Sequence, residues 1–395
     1  MLLKQTPFHS RTSALTQSQA WRRWAGYVAP SQYELTHDRE YAAIRNSAAL
    51  FDVSPLYKYH VSGPDAAALL NRIITRDVDK LKLNQVFYTP WCDAEGKVID
   101  DGTVTRLEEK VFRMTSADPN LRWLHLNATK LNVRVEDVSA QIAALSLQGP
   151  ESREILKAGG ADVANLKYFH AVQTSLREIP VTITRTGYTG DLGYEIWIDN
   201  QYAERLWDLL IEVGRGYGIL PAGLIALDIS RNEAGLILLD VDYISAKHTL
   251  IPQQKSSPFE INLGWAVAQE KAHYVGQRAL EAERARPAEW QFVGIDVEWE
   301  SLEALWAEVA LPPKLPTQAW RASVPLYKAG KQIGYATSGT WSPILKKYIA
   351  LAHVRAPHFA DGTSVEMEMT VEHHHKRAAA RVTKLPFFDP PRKRA

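Results

Sequence analysis

The run Arg185-Thr186-Gly187-Tyr188-Thr189-Gly190-Asp191-Leu192-Gly193-Tyr194-Glu195 constrains the fold more than any other stretch of this chain. Its three glycines supply the backbone freedom of a tight turn. Residues 181–184 before it and 194–198 after it alternate apolar and polar side chains, as half-buried strands do. The pattern predicts a hairpin whose loop sets Tyr188 beside Glu195, a pairing that suits a flat, hydrogen-bonding heterocycle. A purely structural turn accounts for the same glycines.

A strand feeding a helix through a Gly-Pro turn is read twice. Tyr57, Tyr59 and Val61 alternate with polar residues, and Ser62-Gly63-Pro64-Asp65 then opens a helical pattern through Ala66, Leu69, Leu70 and Ile73. Residues 143–147 lead likewise into Gln148-Gly149-Pro150-Glu151 and a short helix through Ile155 and Leu156. Between them, 86–91 and 98–107 flank Asp93-Ala94-Glu95-Gly96 as a hairpin, with a third strand at 111–115. This is an antiparallel α+β unit without a Rossmann βαβ run. Residues 202–213 and 222–236 read as helices, the second carrying Asp228, Arg231 and Glu233. Arg231 and Glu233 lie two apart and must serve different faces. From Phe292 onward, short strands separated by Gly and Pro mark a second, β-rich domain, in which 300–316, with Pro312, Pro313 and Pro316, reads as a surface excursion.

Charge narrows the partners. With 46 Lys+Arg against 45 Asp+Glu the net charge is +1, so no global field draws the chain to nucleic acid or to an acidic membrane. Cys92 is the only cysteine, which excludes an internal disulfide and a cysteine-rich metal site and fits a reducing, cytoplasmic compartment. The start Met1-Leu2-Leu3-Lys4-Gln5-Thr6-Pro7 lacks the apolar core of a signal peptide, and no apolar run reaches the roughly 18 residues that span a bilayer.

Asp100-Asp101 is the most suggestive acidic pair, because a strand's period of two sends one carboxylate to each face. A carboxylate facing a pocket can orient an amine or stabilise developing positive charge; one satisfied by backbone donors is merely structural. His373-His374-His375 project to alternating faces with no completing ligand, so no metal is expected. Lys346-Lys347 and Arg392-Lys393-Arg394 read as solvated surface, and Trp265, Trp91 and Tyr88 as core aromatics.

Taken in order, several segments carry a resemblance: Leu50-Phe51-Asp52-Val53-Ser54, Val61-Ser62-Gly63-Pro64-Asp65-Ala66, Thr75-Arg76-Asp77-Val78, Gly96-Lys97-Val98-Ile99-Asp100-Asp101, Leu147-Gln148-Gly149-Pro150, the Tyr188 hairpin, Pro221-Ala222-Gly223-Leu224 through Arg231, Gly264-Trp265, and Gly334-Tyr335-Ala336-Thr337-Ser338-Gly339-Thr340-Trp341-Ser342-Pro343. Together they resemble the folate-binding aminomethyltransferase family, typified by the T-protein of the glycine cleavage system. The resemblance implies an α+β protein. Two interleaved antiparallel α+β lobes would occupy residues 1–285 and a C-terminal β-barrel 290–390, around a central channel that holds tetrahydrofolate. By the same resemblance Glu195 anchors the pterin, Tyr188, Tyr88 and Trp265 wall it, Arg231 holds the ligand or its supporting network, and Asp101 is the catalytic aspartate.

Departures from the T-protein pattern bear on the reaction. Pro55-Leu56 stands where T-proteins carry His-Met, Leu238-Leu239-Asp240-Val241-Asp242 replaces the segment expected after Arg231, and Ser116-Ala117-Asp118-Pro119-Asn120 replaces an Asn-Ala-Ala-Asn stretch. Thr6-Pro7-Phe8-His9-Ser10-Arg11 and Ser116-Ala117-Asp118 followed by Trp123 resemble instead the folate-dependent demethylases. The expectation is therefore transfer of a methyl group from a small S-, N- or O-methyl substrate to N5 of tetrahydrofolate. Tyr57, Tyr59 and Tyr243 are candidate proton donors to a leaving oxygen, and Asp118, Asp240 and Asp242 candidate partners of a cationic substrate. One alternative is a true T-protein acting on an aminomethyl-lipoyl carrier protein. Another is a non-catalytic folate binder assisting iron–sulfur assembly, although its signature cysteine is His273 here.

Overall fold

The computed structural model describes residues 3–271 and 273–395; the first two residues of the N-terminal segment read above, and Ala272, lie outside the described set. Helix α1 (His9–Leu15) and the hairpin β1 (Trp21–Trp24)–β2 (Tyr27–Pro30) precede α2 (Asp38–Asn46), β3 (Ala48–Asp52) and β4 (Tyr57–Ser62). Then come α3 (Ala66–Ile73), β5 (Val86–Cys92), β6 (Val98–Glu108), β7 (Val111–Ser116), α4 (Leu121–Asn127) and β8 (Arg134–Asp137). β9 (Ile142–Gln148), α5 (Ser152–Ala158), β10 (Ala171–Leu176), β11 (Ile179–Thr184), β12 (Gly193–Asp199), α6 (Ala203–Gly214), β13 (Ile219–Pro221) and α7 (Leu224–Glu233) follow.

Apart from the β1–β2 hairpin, these strands form two sheets, ordered β5-β6-β7-β4-β8 and β10-β11-β12-β9-β3-β13. Because β3 joins the second sheet before β4 opens the first, the lobes are interleaved along the chain. One feature departs from the all-antiparallel expectation: β13 lies parallel to β3. Leaving β13, the chain turns directly into α7, so this short edge strand aims the helix rather than extending the sheet.

Each sheet buries one face under helices. Tyr59, Val61, Val104, Phe112 and Met114 pack with Leu69, Leu70 and Ile73 of α3, while Leu145, Leu147, Tyr194 and Ile196 pack with Leu206, Trp207 and Leu210 of α6. The alternate residues face the other lobe, where Arg113 of β7 lies over the ring of Trp197 of β12 at 4.2 Å. Strand periodicity therefore decides which residues can line the space between the lobes.

Helix α8 (Gln277–Arg284) leads to the closed barrel of β14 (Trp290–Val297), β15 (Val324–Lys328), β16 (Lys331–Ser342), β17 (Lys347–Arg355), β18 (Ser364–Val371) and β19 (His374–Thr383). The expected excursion at 300–316 is corrected in part. Its first half lies in helix α9 (Trp299–Ala307), whose Leu302 and Trp306 are buried in the barrel core, an amphipathic spacing hidden in sequence by the prolines that follow. The basic tail is corrected too. Arg392 reaches Asp191 at 2.7 and 2.9 Å, so this end of the chain is fastened to the turn of the Tyr188 hairpin. Among the described residues, no helix is long and apolar enough to cross a membrane.

Candidate active site between the lobes and the barrel

Asp100 and Asp101 divide as the strand period requires. Asp100 is fully buried and accepts from the backbone N–H groups of Asp101 and Asp118 and from the Asn120 amide. Burial, and then the neighbouring Asp101 charge, push its carboxyl well above the usual range. Asp101, half-buried on the opposite face, accepts from the hydroxyls of Tyr88 (2.6 Å) and Tyr243. Burial raises its carboxyl as well, while those two phenols favour the charged form and pull it back. Gly102 makes this exposure feasible: a Cβ there would come within 2.0 Å of the Thr115 carbonyl, so β6 and β7 run closer beside Asp101 than any side chain permits.

Tyr243 arrives through a tight turn. Asp240 adopts a left-handed φ of 60°, and its N–H bonds the Tyr243 carbonyl at 2.8 Å. Between them, Asp242 is buried and accepts from the Leu238 N–H, from Arg231, and from Thr337 and Ser338 of the barrel at 2.5 and 2.8 Å. Successive residues on a regular strand face opposite ways, but the register of β16 against β17 shifts between Ala336 and Ser338. That bulge turns both hydroxyls onto one carboxylate. Asp242 is thus consumed in holding the turn, which corrects its reading as a partner for a cationic substrate. Asp118 and Asp240 instead flank His248 at 3.2 and 3.8 Å.

Arg231 and Glu233 separate as their spacing demands. Arg231 is fully buried between Asp228 (2.8 Å) and Asp242, whereas Glu233 accepts from Tyr41, Arg45 and, at 2.6 Å, Ser342 of the barrel. Helix α7 therefore carries two sealed ion-pair networks, and the carboxylates of Asp242 and Glu233 in them accept in turn from hydroxyls of the barrel. Arg231 lies in this supporting network rather than on an open wall.

The hairpin folds as expected, and its turn needs glycine at position 190, where φ is +73° and a Cβ would lie 2.5 Å from that of Ala234. Tyr188 donates to the Ile237 carbonyl, and the charges nearest it are those of Arg231, Asp242 and Asp101. Glu195 looks elsewhere: one oxygen accepts from Thr186 at 2.5 Å, and its carboxyl feels the charge of Arg113. Burial raises the Glu195 carboxyl, and Thr186 and Arg113 counter that rise. Trp265 is corrected from core aromatic to exposed wall. It is 63 % exposed, with its ring 6.3 Å from that of Tyr88 and the Arg76 guanidinium beside it.

Tyr57 is not brought to Asp101. It packs with Tyr59 and Val61 on the helix-covered face, and Asp118 is the nearest charge raising its phenol after burial. Tyr59 is committed to the Asn120 N–H at 2.7 Å. Sequence reading missed the opposite faces of β4 and β7, which carry Lys58, His60 and Arg113 toward the second lobe. The available signal was charge at alternate positions of strands otherwise apolar. Burial pulls the Lys58 ammonium down to about 7, yet it still donates to the carbonyls of Ser54 and Leu56 at 2.7 and 2.8 Å, which fixes the Pro55 loop.

The residues present fit a reduced pterin. Among the described residues, Glu195 keeps an oxygen without a partner and Arg113 holds two buried donors, Nε and Nη2, without acceptors, while Tyr88 and Trp265 offer incompletely buried aromatic rings. A cavity of about 390 Å³ between α2 and the Pro343-Ile344 turn holds none of these groups.

Residues 8–271 match the family described as the GCVT N-terminal domain, and residues 309–389 the glycine cleavage T-protein C-terminal barrel domain. An aminomethyltransferase of Moorella thermoacetica is 34% identical over 99% of both chains, and one of Desulforamulus reducens 31% identical over 98% of both. The crystal structure of the glycine cleavage system aminomethyltransferase T from Bartonella henselae superposes with a TM-score of 0.83 at 26% identity, covering 98% of this chain and 99% of that one. Joined to the Asp101 and Glu195 geometry, these likenesses show that the chain belongs to the glycine cleavage T-protein family of tetrahydrofolate-dependent one-carbon transferases.

Proposed function

We propose that this enzyme is an aminomethyltransferase, taking the one-carbon unit of an aminomethyl group borne on the sulfur of a lipoyl carrier protein. End-to-end similarity to proteins named aminomethyltransferase carries this reading, and it displaces methyl transfer as the first choice. Bound tetrahydrofolate supplies the nitrogens that take up the carbon, while the sulfur departs as thiol and the amino group as ammonia, with no net oxidation.

The protein's share is positioning and charge. Asp101, oriented by two phenols in a half-buried setting, places a negative charge where positive charge develops on the aminomethyl carbon and nitrogen. Tyr243, already hydrogen-bonded to Asp101, stands where a proton can pass to a departing group. Glu195 holds the amino-pyrimidine edge through its free oxygen, and Tyr88, Tyr188 and Trp265 wall the ring. Glu195→Gln is expected to weaken tetrahydrofolate binding ~10–100-fold, as loss of a charged acceptor does. Calorimetric titration checks this, and an unchanged affinity refutes the anchor.

Methyl transfer from a small substrate remains the second reading. It is favoured by the Leu238-to-Asp242 turn, which sets a phenol on Asp101, and by the His248, Asp118 and Asp240 cluster close by. Anaerobic incubation with tetrahydrofolate separates the two. 5,10-Methylenetetrahydrofolate and ammonia formed only with the aminomethyl-lipoyl carrier is the expected result, whereas 5-methyltetrahydrofolate formed from methylated onium, amine or aryl-ether compounds establishes the second. The iron–sulfur reading gains nothing from Cys92, which is fully buried, its thiol pushed well up by that burial.

A further inference from the structure

Arg113 faces the inter-lobe space and is left without a task by the proposed reaction. The residue is 2 % exposed, its guanidinium carbon lies 4.2 Å from the centre of the Trp197 ring, and among the described residues it has no acceptor for Nε or Nη2. Buried guanidinium groups are normally paired, because an unpaired one forfeits its hydration for nothing. Burial pulls this one down to about 9, and the charge of Glu195 works against that fall. Glu195 and Trp197 are alternate residues of β12 and share a face. Yet no hydrogen bond or ion pair joins Arg113 to Glu195 among the described residues, so the two charges attract without a direct contact.

The chemistry that fits these unpaired donors is set by what Glu195 leaves undone. The pyrimidinone edge of a pterin presents an amino donor, a ring N–H donor and a carbonyl acceptor in sequence. A single carboxylate satisfies the two donors and leaves the 4-oxo group needing a donor beside it. We propose that Arg113 donates to the pterin 4-oxo group, so that Glu195 and Arg113 together read the whole edge as donor, donor, acceptor. This rests on the folate reading of the site. It gives the chain a means of rejecting pteridines that carry a 4-amino group, since that group would turn a donor toward a buried cation.

Affinity and stability are measured together on wild type and Arg113→Met, using anaerobic tetrahydrofolate and its 4-amino counterpart, tetrahydroaminopterin. Wild type is expected to prefer the 4-oxo ligand ~10–100-fold. Arg113→Met is expected to lose most of its tetrahydrofolate affinity, bind the 4-amino ligand no more weakly than wild type, and melt, ligand-free, at the same temperature or higher, because an unpaired buried charge is gone. A ligand-free protein that melts lower and loses both ligands equally assigns Arg113 a structural role and overturns the proposal. So does a wild type that binds both ligands alike, a result that needs no variant to fold. Binding of neither ligand by wild type removes the folate reading itself, and the proposal with it.

Discussion

Turnover of Asp101→Asn is expected to fall ~100- to 10,000-fold, with tetrahydrofolate affinity changed only a few-fold. Asparagine preserves the shape and can still accept from one phenol, but its amide presents a donor to the other. The negative charge disappears from the place where positive charge develops. Single-turnover rates set beside calorimetric affinities make the check, and a loss shared equally by binding and turnover would assign Asp101 to ligand anchoring instead. A pH profile sharpens the test. Because burial raises the Asp101 carboxyl, wild-type kcat/KM is expected to fall on the acid side at a pH above the ordinary carboxylate range, as the ionised form is lost. That limb should be missing in the variant.

The second large effect falls on stability. Asp242→Ala removes an acceptor shared by Arg231, the Leu238 N–H, Thr337 and Ser338, and it leaves a sealed guanidinium with only Asp228. Breaking one member of a buried ion-pair network typically costs about 3–5 kcal/mol, a large part of the stability of an ordinary domain. Urea unfolding should show that loss as an earlier midpoint. Where the variant still folds, Tyr243 loses the turn that aims it and activity falls as well. A midpoint within about 0.5 kcal/mol of wild type would mean that water replaces the carboxylate without cost, as at an ordinary surface site.

What sequence revealed, and what it hid, divides along one physical line. Periodicity in a single strand or helix was enough for the Tyr188 hairpin, for the split between Asp100 and Asp101, and for the separation of Arg231 from Glu233. Each depends only on neighbours a few residues away. The parallel pairing of β13 with β3, the hold of Asp242 on the barrel and the capture of Arg392 by Asp191 each join residues 95 or more apart or strands from opposite halves of a lobe. No local pattern announces such pairings. Bulk and apolarity alone would put Trp265 in the core, because they are averages over many proteins, yet its ring is largely exposed. Arg113 was overlooked for the converse reason: an arginine between apolar residues reads as a strand's solvated side until the second sheet is seen to cover it.

The bulge at Thr337 ties the reaction to the order in which the polypeptide is made. Asp101, Glu195 and Tyr243 have all left the ribosome before the segment that clamps Asp242 is synthesised, since vectorial translation delivers β16 nearly 100 residues later. Until those two hydroxyls arrive, the Asp242 carboxylate beside Tyr243 lacks half of its side-chain and backbone donors. A nascent or prematurely released chain therefore carries the Tyr188 hairpin before the Asp242 clamp is complete. On the proposed function, catalytic competence is expected only once the barrel has closed.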